Sequence, residues 1–231
     1  MSVSKNADFF LEKHDSYKES IESIDTYVTI SNVIGTELLG VKRLLDVGNG
    51  GVFDYDTSLV REIVGLDLFL DRLPSSARFP DNVTMVQGDG LDIPRPLQDF
   101  DCVLMVMLIH HLIGSDVKKC FENALRAFGE AHRVLLSGGK LVVMESCVPR
   151  WFFEFESRSF SLSSRIVERL FKHPPVLQYT ADQVVDLLRS AGFSRVSQQI
   201  VQKGRFVLQF GVKVPAFLTP VQPVLFVAQK E

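Results

Sequence analysis

The stretch LLDVGNGG, residues 44–51, decides the fold class of this chain. An apolar run ends there on an acid, Asp46, and breaks at once into a glycine-rich turn. Glycine tolerates positive φ and lets the backbone approach a ligand without a Cβ in the way, which is typical of a nucleotide-cofactor site at a sheet edge. A second acid, Asp67, closes the next apolar run 21 residues after Asp46. That interval fits a βαβ unit in which the second acid contacts a ribose.

The order of the apolar segments predicts an α/β fold: a doubly wound, mostly parallel, Rossmann-like sheet with antiparallel C-terminal strands and a helical lid. The first five expected strands lack polar alternation, as buried parallel strands do. A helix starts near Val117 and is expected to end in the glycine turn at 137–139, and another is capped by Thr180 and Gln183. The expected strands are residues 41–47, 63–68, 83–87, 101–109, 140–145, 195–201, 205–214 and 223–229.

We expect a single domain over residues 1–231, because 46% hydrophobic and 23% charged residues are ordinary for one globular core. Within it, residues 1–40 are expected to form an N-terminal helical cover and residues 147–178 a lid insertion. The longest apolar run is too short to cross a bilayer, and the polar N-terminus does not resemble a signal peptide. The sequence therefore predicts a cytoplasmic protein without a transmembrane segment.

Charge and cysteine usage narrow the classes of partner. A net charge of -3 gives no general attraction for nucleic acid or anionic lipid, so small molecules are the expected partners. The three cysteines form no CxxC pair, which fits reduced thiols better than a disulfide framework. No third ligand lies at metal-binding spacing near the adjacent histidines His110 and His111, so no metal site is predicted.

Four motifs in order resemble those of the class I S-adenosylmethionine-dependent methyltransferases, and the similarity covers roughly residues 40–230. The family's first motif is an acid followed by GxGxG, and DVGNGG, residues 46–51, matches it through the second glycine. GDGLDIP, residues 88–94, resembles the exit of the third strand. FDCVLMVMLIHHL, residues 100–112, resembles the fourth strand with its loop, and HRVLLSGGKLVVMES, residues 132–146, the family's helix, glycine turn and fifth strand.

The resemblance implies S-adenosylmethionine as cofactor and S-adenosylhomocysteine as product. In the family, the counterpart of Asp67 binds both ribose hydroxyls, and that of Asp89 meets the adenine amino group. An aspartate that satisfies its own turn remains the alternative interpretation of Asp89. The residues expected to bind the cofactor are Asp46, Gly48, Asn49, Gly50, Gly51, Asp67, Leu68, Asp89 and Gly90.

One position departs from the family pattern. Val52 stands where the family usually has a third glycine, and the following residues suggest a first helix that is shortened or starts late, near 58–62. A nicotinamide dehydrogenase is a weaker interpretation of the same turn, because its GxGxxG pattern needs Gly or Ala where this chain has Phe53.

His110 and His111 follow the fourth strand at the carboxyl edge of the sheet, and both are candidate catalytic residues. An imidazole titrates near neutral pH and suits the removal of a proton from a phenol, enol or alcohol as the methyl group arrives. If the strand continues through these positions, adjacent side chains point to opposite faces and only one meets the substrate. A loop histidine bonded to backbone is the alternative interpretation.

The segment RWFFEFESRSFSLSSRIVERLF, residues 150–171, stands where the family commonly inserts a substrate-covering lid. Trp151 and Phe152 are therefore candidate acceptor-binding residues, together with Tyr17 from the N-terminal cover. Packing on the domain or on a second subunit is the alternative for the lid aromatics, and core packing is the alternative for Tyr17.

These observations lead to a hypothesis of methyl transfer from S-adenosylmethionine to a small, apolar or aromatic acceptor. The nearest resemblance in activity is to quinone and secondary-metabolite methyltransferases. The alternative is a catalytically silent or repurposed S-adenosylmethionine-binding protein, with Val52 as its main support. An extra β segment at 204–215 either borders the acceptor site or forms the edge of a homodimer.

Overall fold

The computed structural model describes residues 25–73, 77–158, 160, 176–201, 205–207, 213–215 and 220–231. Its helices in these ranges are α1 (Asp25–Leu38), α2 (Val117–Val134), α3 (150–158) and α4 (Ala181–Ser190). The strands are β1 (Arg43–Val47), β2 (Glu62–Asp67), β3 (Val83–Gln87), β4 (Phe100–Val106), β5 (Leu135–Cys147), β6 (Arg195–Ile200), β7 (Arg205–Val207), β8 (Lys213–Pro215) and β9 (Gln222–Gln229). Short 3₁₀ turns lie at Thr57–Leu59, Leu70–Arg72 and Ile109–His111.

The main sheet is doubly wound. In the described part of the chain, seven strands pair in the order β3-β2-β1-β4-β5-β9-β6. The strands β1 to β5 are parallel, whereas β9 runs antiparallel to both β5 and β6. The predicted α/β fold class, with a mostly parallel sheet and antiparallel pairing at its C-terminal strands, is therefore confirmed.

Helices cover both faces of this sheet, because side chains alternate between the faces along each strand. In β4, Val103 and Met105 pack on the side of α2 and α4, while Cys102 and Leu104 pack on the side of α1. The buried helix residues are Ala124 and Phe128 in α2, Val184 and Leu188 in α4, and Ile30, Ile34 and Leu38 in α1. Both faces of the central strands are buried under helices, which explains their unbroken apolar sequence.

The expected end of α2 in the turn at 137–139 is wrong. The helix stops at Val134, and Leu135 already has extended backbone, with φ −75° and ψ 144°. Leu135 is buried and pairs with Phe100, which draws the chain into β5 five residues before the expected start of that strand. The glycine turn then lies inside an irregular stretch of β5, where the register against β4 shifts.

The fourth strand also differs from expectation, since β4 ends at Val106 and not at residue 109. Met107 has a φ of 49°, a left-handed conformation that a bulky residue adopts only under strong tertiary constraint. Its backbone N–H donates to the Met144 carbonyl at 2.7 Å. This bend takes the chain out of the sheet and into the 3₁₀ turn Ile109–His111.

The remaining differences from the predicted elements lie in the segments that connect the strands. Between β1 and β2 the chain forms only the 3₁₀ turn Thr57–Leu59, and Glu62 already belongs to β2. The shortening that the departure at Val52 suggested is present, but the expected span near 58–62 is wrong. The expected strand at 205–214 is replaced, as far as the described residues go, by β7 and β8, which pair with each other. The candidate Tyr17 lies outside the described residues.

No helix within the described ranges combines the length and the apolar character that crossing a bilayer requires.

The junction between α2 and β5 depends on a lysine from the C-terminus. Lys230 donates through Nζ to the carbonyls of His132 and Leu135, each at 2.7 Å, at the helix end where carbonyls lack helical partners. We expect Lys230→Met to lower the free energy of unfolding by about 1 to 3 kcal/mol, because two partly buried carbonyls lose a charged donor. Urea denaturation measures this, with the exposed Lys118→Met as a control expected to match the wild type. Equal midpoints for both variants would contradict this role.

Candidate active site

The glycine turn and the two histidines lie at one edge of the sheet. β1 is in parallel register with β2 and β4, so that Val47 lies opposite Leu66 on one side and Met105 on the other. Met105 in turn pairs with Val143 of β5. The segments after these strands therefore leave the sheet at the same carboxyl edge, which is where open α/β sheets bind ligands.

Asn49 connects the acid of the first motif to the glycine turn. Its Nδ2 donates to Asp46 Oδ2 at 3.0 Å, and its Oδ1 accepts from the Gly51 backbone N–H at 2.9 Å. The Gly48 N–H donates to the Leu66 carbonyl at 2.7 Å and continues the ladder between β1 and β2. The turn is thus held from both strands.

Asp46 is a buried acid, with 2% of its surface exposed. The Tyr55 hydroxyl donates to Asp46 Oδ2 at 3.0 Å. Burial raises the pKa of the Asp46 carboxyl to about 7, although the bonds from Asn49 and Tyr55 oppose that rise. The nearby carboxylates of Asp54 and Asp67 add to it. Asp46 therefore changes charge near neutral pH.

The residues that depart from the family pattern form an aromatic cluster beside this acid. The Phe53 ring meets Tyr55 edge-on at a centroid distance of 6.0 Å, and Phe79 in the same manner at 6.4 Å. Tyr55 is buried, so the short connection supplies both apolar packing and a hydroxyl donor where a longer helix is usual in the family.

Asp67 ends β2 beside the glycine turn. Its Oδ2 accepts from the Gly50 N–H and its Oδ1 from the Phe69 N–H, each at 2.8 Å. A carboxylate has about four acceptor positions, so two backbone donors leave each oxygen able to accept one more bond. That capacity suits a pair of neighbouring hydroxyls such as those of a ribose.

The backbone at this edge fits the close approach of a cofactor. Gly48, Gly50 and Gly51 have φ values of 75°, 58° and 77°, which other residues rarely adopt. A Cβ on Gly48 would lie 2.6 Å from Leu108, whereas one on Gly50 would meet nothing within 4 Å. The turn is tight toward the protein at Gly48 and open at Gly50, so the residues present are compatible with S-adenosylmethionine at this edge.

The segment that follows β3 differs from the glycine turn, because its aspartate is exposed and already bonded within its own turn. Asp89 is exposed, and its Oδ1 accepts from the Leu91 N–H at 2.8 Å, which closes its own turn. Gly90 approaches β1 so closely that a Cβ there would lie 2.9 Å from Val47. Leu68, directly after Asp67, is 36% exposed. The structure thus shows the turn geometry that was the alternative interpretation of Asp89, and its contact with adenine stays a prediction.

His110 forms a pair with a carboxylate from the neighbouring strand. Its Nδ1 lies 2.5 Å from Glu145 Oε1, with 12% of the histidine side chain exposed. A carboxylate accepts the proton of Nδ1, and this tautomer leaves Nε2 with a lone pair. The arrangement orients the ring and provides a proton acceptor at the sheet edge.

Glu145 has no exposed surface, and backbone and side-chain donors surround it. Its Oε2 accepts from the Ile109 N–H at 3.0 Å, and its Oε1 from the Ser146 N–H at 2.6 Å and the Ser146 hydroxyl at 3.1 Å. A buried carboxylate needs such partners, because it has lost its hydration. These bonds fix the position of the 3₁₀ turn that contains His110.

The expectation that His110 and His111 point to opposite faces of a strand does not apply, since the strand has already ended. The 3₁₀ turn places the two rings side by side, with centroids 4.0 Å apart and planes inclined by 45°. Glu145 orients His110, which makes His110 the stronger candidate for acid–base chemistry.

Of the segment predicted to form the lid, the helical part described is α3 together with residue 160, and its role as a lid stays a prediction. Trp151 is 65% exposed, and its ring lies 5.6 Å from that of Phe152. Phe153 meets Phe121 of α2 edge-on at 6.0 Å, and Phe160 is buried. Phe153 and Phe160 pack on the domain, whereas Trp151 is exposed and Phe152 is half-buried. The contact of Trp151 and Phe152 with an acceptor stays a prediction.

Sequence reasoning missed two groups of this site. Glu145 carried a signal, because it is the lone acid at the end of the apolar run LVVMES, at the same edge as the histidines. Tyr55 carried none, since it follows Val52, where the family pattern stops.

Comparison with known proteins gives the family context. Residues 45–143 match the family described as methyltransferase domain. A demethylmenaquinone methyltransferase of Symbiobacterium thermophilum is 25% identical over 199 residues, which are 74% of this chain and 76% of that protein. The ubiquinone/menaquinone biosynthesis C-methyltransferase UbiE of Pseudomonas paraeruginosa is 27% identical over 172 residues, or 69% of this chain and 61% of that protein. The chain thus spans less than two thirds of the second relative.

A solved structure shares the fold. An S-adenosylmethionine-dependent methyltransferase of Methanosarcina mazei superposes with a TM-score of 0.56 at 15% identity, covering 86% of this chain and 97% of that chain. The sheet order and the glycine turn define an α/β protein with a nucleotide-cofactor site. The match over residues 45–143 and the two relatives support the predicted class I S-adenosylmethionine-dependent methyltransferase family and its cofactor, while the solved structure supports the fold.

The buried Asp46 makes stability depend on pH. Unfolded chains release this proton near pH 3.8 but the folded protein holds it to about pH 7, so the folded state binds more protons in between and stability falls as pH rises. We expect Asp46→Asn, which is neutral at every pH, to remove part of this fall and to be more stable than the wild type by about 2 kcal/mol at pH 8. Denaturation at several pH values measures it, with the exposed Asp81→Asn as control. Parallel pH curves for Asp46→Asn and wild type would contradict the assignment.

Proposed function

We propose that this protein transfers the methyl group of S-adenosylmethionine to a small aromatic acceptor of the quinol type, with His110 as the general base. The observation that carries the proposal is the pairing of His110 with the buried Glu145 at the same sheet edge as the acid–glycine turn. A histidine that only satisfies a loop can bond to backbone or water. Pairing it with a buried carboxylate costs desolvation energy, so this pairing supports a functional role for His110.

The bound cofactor supplies an electrophilic methyl group. The chain's own residues act on the acceptor: His110 Nε2 takes a proton from the acceptor hydroxyl, while Nδ1–H remains bonded to Glu145. The carboxylate stabilises the imidazolium that results and keeps the ring in one orientation. Positioned proton transfer of this kind contributes about 10²- to 10⁴-fold to a rate.

The chemistry of the acceptor is inferred from two sources. Both curated relatives are named as methyltransferases of quinone biosynthesis, and one name specifies methylation at carbon. The lid supplies aromatic side chains, among them Trp151 and Phe152, that suit a flat apolar ring. Removal of a phenolic proton makes such a ring more nucleophilic, so a histidine base is useful whether carbon or oxygen accepts the methyl group.

Asp67 is the residue expected to hold the ribose. We expect Asp67→Ala to raise the dissociation constant of S-adenosylmethionine about tenfold or more, because two acceptors for hydroxyl groups are lost. Calorimetric titration of ligand-free protein measures this. Asp67→Asn keeps an acceptor oxygen for one of the two backbone donors, Gly50 or Phe69, and is the milder substitution, while Asp81→Ala is the surface control. Unchanged affinity in a folded Asp67→Ala variant would remove Asp67 from the cofactor site.

The base is tested by turnover. With methyl-labelled S-adenosylmethionine and a panel of hydroquinones and demethylated quinols, we expect labelled product from the wild type, and a loss of kcat of about 10²-fold or more for His110→Gln. The affinity for the cofactor is expected to stay unchanged. His111→Gln is the matched control and is expected to retain most activity. Wild-type kcat in His110→Gln would refute the role of His110, and cofactor binding without any labelled acceptor would favour a silent binding protein.

A further inference from the structure

Two charged side chains of α2 bind the backbone of the residue that follows the turn after β3. The Ile93 N–H donates to Glu130 Oε2 at 2.9 Å, and the Ile93 carbonyl accepts from Arg133 Nη2 at 2.7 Å. Ile93 belongs to no helix or strand, so side chains provide the hydrogen-bond partners that secondary structure provides elsewhere. Both backbone groups of Ile93 are therefore held by one helix.

The two side chains also bond to each other. Arg133 donates through Nε to Glu130 Oε1 at 3.1 Å and through Nη2 to Glu130 Oε2 at 2.7 Å. This two-point pairing fixes the guanidinium and the carboxylate in one geometry. The hydrogen bond from Arg133 also lowers the pKa of the Glu130 carboxyl, which therefore carries its charge at neutral pH. We call Glu130, Arg133 and Ile93 the clamp.

The turn that precedes Ile93, residues 88–92, packs directly against the end of β2. The Gly88 N–H donates to the Asp67 carbonyl at 3.0 Å. A Cβ on Gly88 would lie 2.6 Å from the Leu66 side chain, so there is no space for even a methyl group between the turn and the strand. The turn therefore borders the residue that is expected to bind the ribose.

Hydrogen bonds inside the turn make it a compact unit. The Asp92 N–H donates to the Asp89 carbonyl at 2.9 Å, and the Leu91 N–H donates to Asp89 Oδ1 at 2.8 Å. Ile93, directly after the turn, is buried in the core. Because these bonds connect residues 89–92, a shift of Ile93 moves Asp89 as well.

The order of the strands indicates which part of the cofactor lies at this turn. β2 lies between β1 and β3, so Asp67 has the glycine turn on one side and the 88–92 turn on the other. A ligand with its ribose at Asp67 and its amino-acid part at the glycine turn places its base at the 88–92 turn. Asp89 is exposed there and is accessible to a ligand.

We propose that Glu130 and Arg133 are positioning residues for the cofactor: by holding both backbone groups of Ile93, they fix the 88–92 turn where it meets the adenine base. This inference rests on the proposed binding of the ribose by Asp67. Both side chains act through Ile93 and not by contact with the ligand. A turn that is already held in its binding conformation loses less conformational entropy when the ligand binds, and this raises the affinity.

The first test measures affinity and selectivity for the base. The probes are S-adenosylhomocysteine and S-inosylhomocysteine, which has a carbonyl in place of the adenine amino group but the same ribose and amino-acid part. Calorimetry of ligand-free protein, well below its unfolding temperature, gives both dissociation constants. For Arg133→Met we expect that of S-adenosylhomocysteine to rise about threefold to tenfold and that of S-inosylhomocysteine to change by less than about twofold, because the altered base makes fewer contacts with the turn.

Further variants of α2 provide the comparison. Arg133→Lys keeps the charge but loses the two-point pairing, and is expected to lie between Arg133→Met and the wild type. Glu130→Gln keeps an oxygen for the Ile93 N–H, is expected to shift in the same direction, and gives the result if Arg133→Met does not fold. The matched control is Lys119→Met, because Lys119 pairs with Glu122 at the same three-residue spacing in an exposed position. This control is expected to match the wild type with both probes.

Hydrogen exchange tests the clamp without any ligand. The Leu91 and Asp92 amides, which are bonded to Asp89, are expected to exchange about threefold faster or more in Arg133→Met than in the wild type or in Lys119→Met. The Gly48 amide, which is bonded to the Leu66 carbonyl, is expected to stay unchanged and reports on the sheet itself.

The inference requires both effects. Unchanged dissociation constants in Arg133→Met would overturn it, whether or not exchange is faster, and so would an equal rise for both probes, since that indicates a general loss of structure. Unchanged exchange of the turn amides would overturn it as well.

Failure of the proposed cofactor site gives a different pattern. In that case the wild type binds neither probe, or Asp67→Ala binds both as the wild type does. The inference then fails with it, although the turn amides still exchange faster in Arg133→Met than in Lys119→Met.

Discussion

The complete burial of the Glu145 carboxylate is the constraint on which the candidate site depends. A charge without hydration must be surrounded by donors, and these come from the Ile109 N–H, His110 Nδ1 and Ser146. To supply them, the chain must leave β4 early and form a 3₁₀ turn, and the left-handed Met107 is the strained residue that permits this. The position of His110 therefore depends on the hydrogen bonds that the buried Glu145 requires.

A second buried acid, Asp46, supports the glycine turn at the predicted cofactor site. Asp46 lies under the glycine turn, with donors from Asn49 and Tyr55. Where the family usually has a glycine and a longer helix, this chain has Val52 and a short aromatic connection, yet the turn keeps its three left-handed glycines. Aromatic packing beside the turn thus accompanies the change at Val52. Asp67 keeps its capacity to accept further hydrogen bonds.

Much of the fold was predictable because it follows from local patterns. Apolar runs without alternation indicated buried parallel strands, and the capping box of Thr180 and Gln183 is present as expected. The predicted boundaries are wrong where a contact with a residue far away in the sequence determines the secondary structure. Leu135 belongs to a strand because it pairs with Phe100. The strand β4 ends where the Met107 N–H donates to the Met144 carbonyl. Local propensity does not contain these contacts, since their partners lie 35 and 37 residues away in the sequence.

The sequence by itself determined the fold class, the acid–glycine turn and the presence of histidines at the carboxyl edge, because each of these depends on spacing along one segment. Only the tertiary structure decided which histidine is oriented, since Glu145 comes from another strand. It also decided that Tyr55 supports Asp46 through its hydroxyl. The physical reason is that desolvation and charge pairing are set by neighbours in space, and these become neighbours only when the strands are assembled.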